Sequence, residues 1–253
     1  MPMTMPKLSK DVREGLQQGV LLGAAILALV LPPRVAPPPA QPSVSVGAAA
    51  GRAAAPPVLK RQLDFSGQTA TPEVRRVAEW VVSSADNGRH SFAILDKNDA
   101  RVYVFEPSGK LAGSTPVLLG YAPGDDTVPG IGQRPIEDVR PEERTTPAGR
   151  FVAAPGRNTI PEDVVWVDYD AAVSMHRVRV TDPRERRLER LSSPTPTDNR
   201  ISYGCINMPP HFFEEVLWPA FKRRGGVVYV LPEHKALEDV FPGLASTTPK
   251  AQG

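Results

Sequence analysis

The chain has 253 residues, 41% of them hydrophobic and 23% charged, enough for one domain of about 150–200 residues with a real core. Thirty Lys and Arg against 28 Asp and Glu leave a net charge of +2, which gives no basic field for a nucleic-acid partner. A single cysteine, Cys205, excludes an intramolecular disulfide and the zinc patterns built on several cysteines. The four histidines, His90, His176, His211 and His234, show no HExxH-type spacing, so a metal site is not expected.

Lys7, Lys10 and Arg13 precede an unbroken apolar run from Val20 to Leu31, which stops at Pro32 and Pro33. A charged head and a short apolar core read as a signal peptide over residues 1–31, with an uncleaved inner-membrane anchor over residues 16–31 as the rival. Residues 32–62 are rich in Pro and Ala, carry eight of the chain's 29 prolines, and lack the side chains to build a core. They read as a flexible linker that extends at about 3.1 Å per residue when in polyproline II. Export to the periplasm or cell envelope is the expectation.

The folded part is placed at residues 63–235. Thr71-Pro72-Glu73 marks a helix start, and Val74, Val77, Ala78 and Val81 recur at helical spacing, predicting a helix over 72–84. Short apolar or alternating runs at 91–96, 101–106, 110–121, 150–154, 164–169 and 227–231 predict strands, with hairpin turns at 97–100 and 106–109. Residues 124–146 are rich in Gly, Pro and charge without periodicity and read as a long exposed loop. Pro209 and Pro210 open a helix with Phe212, Phe213, Val216 and Leu217 on one face, which sets Cys205 in a loop entering that helix. Residues 236–253 read as a C-terminal tail with a frayed end. The class is mainly β with a few helices.

A lone cysteine in an exported chain is either buried and inert or kept for its reactivity. Cys205 sits in Ser202-Tyr203-Gly204-Cys205-Ile206-Asn207, where glycine permits a tight turn and the amides of Gly204 and Cys205 can face a developing oxyanion. A thiol with a pKa of about 8.5 needs a base at neutral pH, and His176, in the strand-like Val173-Ser174-Met175-His176, is the candidate. His90, His211 and His234 read as packed or surface residues, His211 as a possible helix cap.

His176, the Cys205 segment and the earlier Thr146-Pro147-Ala148-Gly149-Arg150-Phe151 together resemble the L,D-transpeptidase or YkuD domain family over roughly residues 92–231. The resemblance implies a β-sandwich-like domain in which Cys205 attacks the carbonyl of the third residue of a peptidoglycan tetrapeptide stem. D-alanine is released, a thioester forms, and an amine from a second stem or a protein accepts the acyl group. His176 is then the base, Tyr203 and Gly204 line the oxyanion and substrate side, and Ser202 and Asn207 support the loop. Donor and acceptor stems are the implied partners, and a monomer is expected. Two features depart from the family pattern: Tyr203 stands where a second histidine is usual, and the gap from His176 to Cys205 is long. The inserted Thr181–Arg190 reads as a solvated charged helix, with a lid whose arginines meet stem carboxylates as the alternative. An L,D-carboxypeptidase or amidase on the same scaffold, and a wall-binding module that has lost catalysis, remain alternatives.

Overall fold

A computed structural model describes residues 60–246; the targeting segment, nearly all of the linker and the end of the tail lie outside the described residues. Helix α1, Pro72–Ser84, begins as its sequence dictates. Thr71 Oγ1 accepts the Val74 amide at 3.3 Å, Pro72 occupies the first turn where no N–H is needed, and Ala85 closes the helix in the left-handed conformation. Its stripe of Val74, Val77, Ala78 and Val81 is fully buried, each larger side chain contributing about 1.5–3 kcal/mol of transfer free energy.

Ten strands follow: β1 Ser91–Asp96, β2 Arg101–Phe105, β3 Leu111–Pro116, β4 Leu119–Gly120, β5 Gly149–Arg157, β6 Asp163–Asp168, β7 Val173–Arg177, β8 Arg200–Ser202, β9 Ile206–Met208 and β10 Gly226–Val230. Eight form one sheet in the order β3-β2-β1-β10-β5-β6-β7-β9, and β4 pairs with β8 in a small second sheet. β5 joins the two halves of the large sheet. Residues 149–153 pair with β10, and residues 154–157 pair with β6. One face of the sheet packs under α1 through Phe92, Ile94, Tyr103, Phe105, Val227 and Tyr229. The other face encloses a second core of Ala93, Leu95, Val104, Val165, Met175, Ile206 and Val228, closed by Phe212, Phe213, Leu217 and Phe221. Burial on both faces is why β1, β2 and β10 read as continuous apolar runs.

Those last four aromatic and aliphatic side chains lie on helix α3, residues 210–221, whose middle widens into a π turn at Phe213–Leu217. Pro219 has no N–H to offer the preceding turn, which accounts for the irregularity. Helix α2, Arg187–Ser192, packs Leu191 against Val178 and Leu118, and α4 is the short Leu237–Val240. Among the described residues no helix is long and apolar enough to cross a membrane.

Four expectations are corrected. The single strand over 110–121 is two, because the chain leaves β2 at Pro116 and Leu118 exchanges both backbone hydrogen bonds with Asn207 before β4 meets β8. The loop over 124–146 holds three 3-10 turns and buries Ile131, Val139, Glu143, Thr145 and Thr146. Residues 236–246 are not a loose tail, since Phe241 and Leu244 are 2% exposed and join the core around Trp80. At the other boundary, Gln62 donates its amide to Ser108 and Arg61 binds Asn87 Oδ1 at 2.7 Å, so the ordered domain starts inside the expected linker.

Lys97, read as an ordinary hairpin-turn residue, is 1% exposed. Its ammonium donates to Asp125 Oδ1 at 2.9 Å, Gly124 O at 2.5 Å and Thr146 O at 3.0 Å, with Glu233 Oε2 at 3.6 Å. Burial alone would raise Asp125, but the Lys97 ammonium and the amides of Lys235 and His234 outweigh it and hold the carboxyl below its ordinary value. Arg200 binds Glu233 from β8 and completes the cluster. Lys97→Met is expected to lower stability by about 3–5 kcal/mol, because it leaves buried carboxylate without its cation; urea unfolding followed by circular dichroism measures it.

Candidate functional site

β7 carries Ser174 and His176 two residues apart and therefore on one face of the sheet. β9 lies parallel to it with His176 opposite Asn207. Cys205 stands in the turn between β8 and β9, so a strand separates it from the helix at 210, and the expected loop entering a helix is corrected to a strand-to-strand turn. That turn is tightly specified. Gly204 has φ of +124°, and a Cβ there would lie 2.8 Å from the Thr145 carbonyl oxygen, so only glycine fits. Ser202 Oγ accepts the Gly204 amide at 3.1 Å and donates to the Cys205 carbonyl at 2.6 Å. Thr146, fully buried, takes the Gly120 amide at 2.9 Å and donates to the Gly204 carbonyl at 2.8 Å.

Cys205 is half-buried as a residue. Sγ lies 3.7 Å from Ser174 Oγ and 3.5 Å from the Ala172 carbonyl oxygen. His176 meets it from β7. The imidazole Nδ1 is 2.8 Å from the Arg177 carbonyl, an acceptor, so Nδ1 carries the hydrogen and Nε2 is left bare to take a proton. Burial alone would raise the thiol; the hydrogen bond and charge of His176, with the amide and hydroxyl of Ser174, outweigh it and hold Cys205 below the usual thiol value. Burial alone would likewise lower His176, yet its pairing with Cys205 and its bond to the Arg177 carbonyl raise it, against the opposing charge of Arg187. Both shifts favour a thiolate–imidazolium pair.

Asn207 does more than brace a loop. Its Nδ2 lies 3.3 Å from His176 Nε2 and 3.3 Å from the Cys205 carbonyl, and its Oδ1 accepts from Arg187 Nη1 at 2.6 Å. Arg187 belongs to the inserted charged segment, whose reading as a merely solvated helix is thereby corrected. Its side chain is 13% exposed and tied to Glu185 at 2.6 Å. Gly204 is corrected as an oxyanion donor, since its amide is already given to Ser202; of the expected pair, the Cys205 amide remains. Tyr203 is 38% exposed beside the turn, with the Arg144 guanidinium 3.9 Å above its ring. Ser174 and Arg187 went unnoticed in sequence. The two-residue spacing from Ser174 to His176 on a strand was a usable signal for the first, whereas nothing local distinguishes Arg187 from its arginine neighbours. His90, His211 and His234 are exposed and away from this cluster, and no side-chain cap is made by His211. Among the described residues no three His, Cys, Asp or Glu side chains converge as metal ligands.

No family model matches the chain, and no curated protein does. Among solved structures it is similar to the Ldtfm–avibactam carbamoyl enzyme, with 19% identity and a TM-score of 0.36 over 57% of this chain and 49% of that one. It is also similar to the NMR structure of the catalytic domain from the E. faecium L,D-transpeptidase, with 18% identity and a TM-score of 0.32 over 56% of this chain and 98% of that one. The chain spans about half the length of the first of these.

Two outcomes test the geometry. Alkylation of Cys205 by iodoacetamide is expected to titrate below the usual thiol range, because the folded state favours the thiolate. In His176→Ala the midpoint moves up towards that range; an unchanged midpoint would show that the imidazole does not set it. Thr146→Val removes the partner of the Gly120 amide and the Gly204 carbonyl and is expected to destabilise by about 1–3 kcal/mol for each buried group left unpaired, read by thermal unfolding.

Proposed function

We propose that this chain is a cysteine acyltransferase of the L,D-transpeptidase kind, acting on peptidoglycan tetrapeptide stems in the periplasm or cell envelope, where the apolar N-terminal segment delivers or anchors it. The observation that carries the reading is the Cys205–His176–Arg177 carbonyl chain: a half-buried cysteine whose thiol pKa is lowered by pairing with an imidazole that is itself held at Nδ1 by the Arg177 carbonyl. A module that only bound the wall would need neither group in this relation.

The chemistry follows from the geometry. The Cys205 thiolate attacks the carbonyl of the third stem residue, and the oxyanion gathers at the Cys205 amide with the Tyr203 and Arg144 side of the turn beside it. Imidazolium Nε2–H gives its proton to the departing amine, the C–N bond breaks, and D-alanine leaves with a thioester on Sγ. The neutral imidazole then takes a proton from the attacking amine, the thioester opens, and a 3→3 cross-link or a protein attachment results with the thiol restored. Ser174 holds the thiolate with its amide and hydroxyl during both steps, and no cofactor enters the scheme.

Mass spectrometry of products from the full chain incubated with disaccharide tetrapeptide decides the assignment. Loss of D-alanine with a cross-linked dimer is expected from the natural chain and absent from Cys205→Ala, which keeps the fold. Loss without a dimer makes water the acceptor and the enzyme a carboxypeptidase. Retained turnover in Cys205→Ala removes the proposed nucleophile.

A further inference from the structure

The sheet face that holds the site continues past Ser174. Ser174 on β7 is directly opposite Trp166 on β6, and Trp166 is opposite Ala154 on β5, so the three stand in one row on one face. Over β1, β2 and β10 this face is covered by α1. Over β5 and β6 it is open: Ala154 is exposed and Val152 is 76% exposed. The indole of Trp166 leans diagonally onto Gly156, where a Cβ would stand 2.7 Å from Cδ1 and 2.8 Å from Nε1. The missing side chain is what lets the ring lie against the strand. Tyr169, 76% exposed, stands beside it with ring centroids 5.2 Å apart and planes at 68°. The two rings make an aromatic corner, with a platform on strand backbone and an upright wall.

The corner borders the nucleophile. Tyr169 opens the turn that ends at Ala172, whose carbonyl contacts the Cys205 thiol, and Trp166 is one strand spacing, about 4.8 Å, beyond Ser174. We infer that Trp166 and Tyr169 form a sugar-binding subsite that stacks an N-acetylated amino-sugar ring of the glycan strand, an inference that rests on the peptidoglycan reading above. Two observations favour a pyranose over a protein partner. The exposed pair Arg179–Glu162, at 4.0 Å, carries hydrogen-bonding groups on the segments that follow β7 and precede β6, which suits a hydroxyl-rich ring stacked by its C–H face. The reach also agrees. Three extended stem residues between the attacked carbonyl and the sugar span about 10 Å, and one row of side chains separates the thiol from the indole.

The test uses the full chain and two readouts. The first is the ratio of kcat/KM on disaccharide tetrapeptide to kcat/KM on the free tetrapeptide, which is expected to fall about tenfold in Trp166→Ala and in Tyr169→Ala. An unchanged ratio in both variants overturns the subsite, including the case in which both substrates lose equally. The second is a titration with chitotetraose followed by the indole N–H resonances of the three tryptophans. The Trp166 signal is expected to move while those of Trp80 and Trp218 stay, and a still Trp166 signal overturns the proposal. A chain that turns over neither peptide would sink the acyl-transfer reading, and the sugar titration would then decide the subsite alone.

Discussion

Everything at the site hangs on one buried ammonium. Lys97 leaves the end of β1 and enters a space closed to bulk solvent, so its charge is met by protein: Asp125, Glu233, and the carbonyls of Gly124 and Thr146. Those partners come from three separate stretches of chain. The charge therefore draws the 124–146 loop and the 233–235 segment onto the end of β1, and Asp125 completes the tie by accepting the amides of Glu233, His234 and Lys235. Thr146 is the link to the chemistry. Its carbonyl is held by Lys97 and its hydroxyl holds the Gly204 carbonyl, so the turn that aims the thiol is fixed by an ion cluster on the far side of that threonine.

The Cys205–His176 pair lies at the β7–β9 end of this sheet, away from the part that α1 covers. Under α1 the face is closed by apolar side chains, and ions there would lack solvent. Farther out, over β5 and β6, it opens. Ser174, His176 and Asn207 lie past the covered part, buried enough to strengthen the pairing of charges and open enough for a substrate to reach Sγ. Gly204, Ser202 and Thr146 use their hydrogen bonds on one another, which keeps the turn rigid without drawing on the groups that face substrate.

The fold was legible where one side-chain pattern decides one element. Helix α1 has a cap, a proline and a stripe, and β1 has an apolar run between turns; both form over the expected residues. Strands β8 and β9 were not legible, because three residues carry no period and their pairing depends on β4 and β7, far away in sequence. Lys97 looked like a turn residue because a turn is where it sits; only its three-dimensional neighbours make it a buried ion. The Cys205 segment advertised its glycine and its lone thiol. The use of the Gly204 amide did not show, since a serine two residues earlier takes it.

Arg187 explains why the insert between His176 and Cys205 is more than extra length. A side-chain amide has two ends of opposite hydrogen-bonding sense, and Asn207 without a fixed partner could turn either end to the imidazole. The guanidinium of Arg187 donates only, so the end it meets has to be Oδ1. Nδ2 is then committed to the other side, between His176 Nε2 and the Cys205 carbonyl. In that orientation the amide donates to the bare Nε2 of the neutral imidazole. When Nε2 takes up a proton, the Cys205 carbonyl is the acceptor still open to Nδ2–H. The amide thus has a partner in both protonation states, and the positive charge of Arg187 opposes the rise in the His176 pKa that its bond to the thiolate produces. An imidazole that must take a proton and then return it within one cycle gains from that counterweight.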